Sequence, residues 1–144
     1  MNLFGMLELS GSALGAERQR AEVVASNMAN VQTTRTPQGG PYRRQMVVFQ
    51  SQRAPRFSLA LAGLHSGTAS AVRVAAVVSD QRPPVMRFEP GHPDANAEGY
   101  VAYPQVDPVE EMTDLLGAVR AYELNASAVQ ATKNMITQSL DLMR

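Results

Sequence analysis

Cysteine and tryptophan are both missing from these 144 residues. Without cysteine there are no disulfides, thiolate metal sites or thiol nucleophiles. Aromatic side chains are sparse, four Phe and four Tyr. No uninterrupted apolar run approaches the ~18 residues of a membrane span, so no direct span is expected. The N-terminus lacks a basic region and Glu8 interrupts its short apolar start, so no cleaved secretory signal is expected either. Net charge is absent as well, with 13 basic and 13 acidic side chains.

That zero hides a segregation. Between Val23 and Ser79 there is no acid but there are six arginines, Arg35, Arg43, Arg44, Arg53, Arg56 and Arg73. Between Phe88 and Val119 there is no Lys or Arg but there are seven acids, from Glu89 to Asp114. Such asymmetry raises the question of nucleic acid, but no motif supports it and no nucleic-acid partner is expected. Complementary faces, paired within a subunit or between subunits, are the preferred reading. The sharper expectation is that the arginine-rich strands meet the acidic segment of a neighbour.

What is present is helical stripe at both chain ends. Leu3, Leu7, Ser10, Leu14, Glu17, Ala21, Val24, Met28 and Val31 recur at close to a 3.5-residue period. From Met112 the same spacing continues through Leu115, Val119, Tyr122, Ala126, Val129, Lys133, Ile136, Leu140 and Met143. A second stripe runs through Gly117, Ala121, Leu124, Ala128, Ala131, Met135 and Leu142. Asp107 before Pro108 makes an N-cap with proline in the first turn, and Glu110, Glu111 and Asp114 suit the positive end of the helix dipole. The middle has no helical period. Residues 45–49, 71–79, 85–88 and 100–103 read as short strands bounded by turn residues, and 51–70 as a long connection, flexible or interface-forming.

The expected architecture is mainly α with a small β part. Residues 1–35 form an N-terminal helix and 109–144 a C-terminal helix, the two pairing as a coiled coil. Residues 36–108 form a β-rich middle with the long loop 51–70. Each helix would run to about 45 Å, with too little else in the chain to cover both. Pairing the ends leaves one C-terminal stripe wet at roughly 25 cal/mol per Å², and such surface marks an interface. Polar groups at seam positions, Asn27, Asn30, Asn125 and Lys133, either penalise wrong registers or face solvent; spacing leaves the choice open. Asn30 also ends the helix.

"GSALGAERQRAEVVASNMANVQTT" and "EMTDLLGAVRAYELNASAVQATKNMITQSLDL" resemble the N- and C-terminal signatures of the bacterial flagellar rod and hook axial family. Arg120, Tyr122, Glu123 and Asn125 stand in matching places. "PYRRQMVVFQ", "FEPGHPDANAEGYVAYPQVD" and the short length are similar to its proximal rod members. Gln105 departs from their usual Asn. The resemblance implies a structural subunit of the basal-body rod, part of the proximal drive shaft and export channel. It implies export without processing by the flagellar type III apparatus. It further implies helical assembly in the periplasm, between the membrane-embedded base and the distal rod, with other copies and other rod proteins. Unassembled termini would be largely disordered, ordering on docking.

The expected assembly interface comprises Leu7, Leu14, Ala21, Val24, Asn27, Met28, Asn30, Met112, Leu115, Val119, Tyr122, Asn125, Ala126, Val129, Ile136, Leu140 and Met143. A soluble coiled-coil adaptor or secretion chaperone is the alternative.

No catalytic constellation is found, and neither a cofactor nor a metal is expected. His65 and His92 are the only imidazoles and sit in no metal-ligand pattern. His65 beside Ser66 has no G-x-S-x-G elbow. Asp94, Asn96 and Glu98 alternate in a turn but lack the rest of a calcium signature.

Overall fold

The computed structural model describes residues 3–52 and 71–142. The expected long connection lies outside them from residue 53 onward, as do His65 and Met143.

Two long helices and four short strands make the fold: α1 (Leu3–Ala29), β1 (Gln45–Gln52), β2 (Ala71–Ser79), β3 (Val85–Phe88), β4 (Tyr100–Tyr103) and α2 (Pro108–Asp141). The strands pair in two antiparallel hairpins, β1 with β2 and β3 with β4. β1 extends three residues past its expected end at Phe49, because the backbone of 50–52 pairs with 71–73 across a bulge between Val48 and Phe49.

Asp107 caps α2 as its position before Pro108 requires, its carboxylate accepting from the Val109 N–H at 2.8 Å. Asn30 ends α1. Its side-chain amide donates to the Ser26 carbonyl at 2.9 Å while its own carbonyl accepts from the Thr33 N–H at 3.0 Å, so the chain turns away from the helix axis. Gly39 and Gly40, at φ +88° and +74°, carry the reversal that brings the chain back toward α1.

α1 packs on α2 along one side and on the first hairpin along another. Asn27 meets Glu111, Arg20 meets Asp114, and Glu17 and Ala21 border Ala118, so the helices run antiparallel.

Among the described residues the buried apolar side chains are Ala16, Val24, Val101, Pro104 and Ala118, and Ser10, Asn27, Glu111 and Thr132 are buried with them. The inner face of α2 therefore overlaps the first expected stripe only in part. It takes Leu115, Val129 and Ile136 from it and adds Glu111, Ala118, Asn125 and Thr132 from outside it, a seven-residue repeat in which small or polar side chains hold the most buried places. Small residues let the helix backbones approach closely. The larger apolar residues Met112, Leu116, Val119, Tyr122, Leu124, Met135 and Leu140 are left exposed by 43% or more.

Candidate functional site

Where α1 ends, β1 begins and α2 begins, one polar network closes. Asn27 is 1% exposed and Glu111 fully buried. The Asn27 amide nitrogen donates to the Gln45 carbonyl at 2.9 Å and to the Glu111 carboxylate at 3.0 Å. Its oxygen accepts from the Tyr42 hydroxyl and from the Gln45 N–H, both at 2.9 Å. All four hydrogen-bonding sites of the side chain are satisfied. A buried amide is tolerable only on that condition.

Arg44 supplies the countercharge. Its Nε donates to Glu111, and its terminal nitrogen reaches Glu110 at 3.2 Å and Asp114 at 3.3 Å. Burial alone works against the Arg44 charge. The hydrogen bond and charge of Glu111, aided by Glu110 and Asp114, outweigh it and hold the guanidinium above its ordinary range. Arg20 of α1 adds a second contact to Asp114 at 3.3 Å.

The charge segregation is thus resolved partly inside one chain, since Arg44 and Arg35 belong to the acid-free stretch and meet Glu111 and Asp94 of the base-free one. The sequence marks Arg44 only as part of the acid-free stretch and Glu111 only as a helix-dipole residue, without pairing them, and it carries no signal for Tyr42. The Asp94–Glu98 turn is held by its own side chains: Asn96 accepts from the Glu98 and Tyr100 N–H groups, and Asp94 accepts from Thr34.

The expected interface residues that the structure describes fall into three groups by burial. Val24 and Asn27 are buried within the chain, so in this conformation they are closed to a neighbour. Leu7, Leu14, Ala21, Met28, Asn30, Leu115, Asn125, Val129 and Ile136 are half-buried. Asn125 turns its amide back on the Ala121 carbonyl at 2.8 Å. Met112, Val119, Tyr122, Ala126 and Leu140 are exposed. No described helix is long and apolar enough to cross a membrane.

This arrangement of two long terminal helices, braced against each other and apolar on the outside, is that of a building-block protein. Two family models match its ends: "Flagella basal body rod protein" at residues 7–35 and "Flagellar basal body rod FlgEFG protein C-terminal" at residues 97–142. The chain is 44% identical to the flagellar basal-body rod protein FlgC of Bacillus subtilis, over 99% of both chains. It is 37% identical to that of Borreliella burgdorferi, over 100% of this chain and 99% of the other. To that of Salmonella typhimurium it is 39% identical, over 99% and 98%. It belongs to the FlgC family of flagellar basal-body rod proteins. It is a structural subunit of the rod, and an adaptor or chaperone role is not favoured.

Proposed function

We propose that copies of this chain stack helically through the terminal helices into the wall of the proximal rod. Residues 1–35 and 109–144 form an inner coiled-coil layer around the export channel, and residues 36–108 face outward. Copies reach the periplasm through the flagellar type III export apparatus without a cleaved signal, and seat above the membrane-embedded base among other rod proteins.

The observation that carries this reading is the inverted packing of α2. Ala118 and Thr132 face α1, while Leu116 at 60% and Leu124 at 72% exposure face away from it. Exposed apolar surface of this kind is covered by a partner or aggregates. A tube requires contacts that do not close into a ring.

The test is the composition of basal bodies isolated from cells whose own rod protein is replaced by this chain. The wild-type chain should be recovered in them and support swimming. A Leu116→Asp, Leu124→Asp chain should be exported but absent from the rod. Recovery of that variant at wild-type levels would refute the proposal.

A further inference from the structure

The two helices leave a groove of about 410 Å³ between them, lined by Glu17, Arg18 and Ala21 of α1 and by Ala118, Val119 and Tyr122 of α2. Its floor is apolar except for Glu17, one of whose carboxylate oxygens is buried and accepts no hydrogen bond. Arg20 makes only a long ion pair with that oxygen, at 3.8 Å, and divides its guanidinium between Glu17 and Asp114. Arg18 at the rim is already paired with Glu22 at 2.9 Å. A half-buried carboxylate with one long ion pair, in an apolar groove, can take a further cationic donor from outside at its unburied oxygen.

The same chain carries a matching surface. On α2, Met112, Leu116, Arg120 and Leu124 follow one another at four-residue steps and form a single ridge. All four are exposed. Among the described residues Arg120 has no ion pair or side-chain hydrogen bond. It is a guanidinium flanked one turn away on each side by a leucine, the reverse of a carboxylate flanked by alanine, valine and tyrosine.

Resting on the rod-subunit reading, we infer that the Met112–Leu124 ridge of one copy seats in the α1–α2 groove of the next, with Arg120 pairing with Glu17. The ridge and the groove are distinct surfaces. With about 3.6 residues per turn, Arg120 points some 200° away from Ala118. One copy therefore cannot satisfy itself, and two copies cannot exchange both contacts symmetrically. Each contact leaves a free ridge at one end and a free groove at the other, the condition for an open helical stack. A guanidinium fits better here than the exposed ammonium of Lys133, because it binds a carboxylate in a planar, two-point manner.

Charge reversal tests this in cells whose own rod protein is replaced by the full chain. Glu17→Arg alone and Arg120→Glu alone should each reduce swimming and rod incorporation at least tenfold. The two variants produced together should restore both, because each groove then finds an opposite charge on its neighbour in alternation. A chain with Glu17→Cys and one with Arg120→Cys should form a covalent dimer on oxidation within isolated basal bodies. With no cysteine elsewhere in this chain, a dimer that contains both variants can only join these two positions. Single variants that swim normally, a mixture that fails to recover, or no dimer in rods that contain both chains would overturn the pairing while leaving the rod-subunit reading intact. Failure of the wild-type chain to enter the rod would instead overturn the reading itself.

Discussion

Asn27 of α1 donates to Glu111 of α2 across 3.0 Å, in a place that water does not reach. This contact ties the two ends of the chain together beside the start of β1. Replacing Asn27 with Asp removes the donor and sets a second carboxylate against the first. The loss should be at least about 3 kcal/mol at neutral pH. Part of it should return as the pH falls, because like charges raise the pKa of the introduced carboxyl. Urea unfolding at two pH values checks both statements, and a variant as stable as wild type at neutral pH would contradict them.

Arg44→Met strands Glu111 in the interior and should lower stability by about 3–5 kcal/mol. Adding Glu111→Leu should recover much of that loss, since the uncompensated charge disappears even though Asn27 loses one acceptor. A double-mutant cycle by denaturant measures the coupling. Simple additivity would mean that the two groups do not depend on one another.

Leu124→Asp lies on the open face of α2 and should leave the isolated chain within about 0.5 kcal/mol of wild type. Val129→Asp, half-buried toward α1, should lose folding stability as well as assembly. Thermal unfolding of both purified variants, read beside their recovery in basal bodies, separates the two effects. Equal melting temperatures would place Val129 outside the helix contact.

Tyr103 donates to the Glu89 carboxylate at 2.9 Å, and that hydrogen bond, with some desolvation and the Glu89 charge, raises its pKa above the ordinary 10.0. A raised folded value means that this contribution is whole below the unfolded phenol pKa and is lost as pH rises through the folded one. Absorbance titration should show one phenol that ionises later than in the Glu89→Gln variant. Superimposable curves would rule the interaction out.

Gly99 has φ +83°, and a Cβ there would lie 2.9 Å from the Phe88 ring and 3.2 Å from Pro90. Gly99→Ala should cost about 1–2 kcal/mol through the backbone alone. It should also displace Phe88 from its edge-on contact with Tyr100, whose ring centre is 5.4 Å away. Amide exchange across β3 and β4 should accelerate, and unchanged exchange would show that the turn adapts freely.

Much of the architecture could be read from residue order alone, because the signals are local. The helical stripes, the Asp107–Pro108 start and the strands at 71–79, 85–88 and 100–103 each depend on neighbours a few positions apart, and all are present. The resemblance at both termini rests on contiguous motifs for the same reason. The charge segregation was legible too, but only as a question.

Which residues face inward was decided by the tertiary structure. Spacing defines a stripe but not its partner, and the small side chains of α2 let α1 approach so closely that Ala118 and Thr132, not Met112 and Leu124, became the contact. The role of Asn27 was decided the same way. A 3.5-residue period cannot distinguish an amide facing water from one whose four partners arrive from residues 42, 45 and 111. Periodicity is a property of one helix, whereas burial belongs to the pair of surfaces that meet.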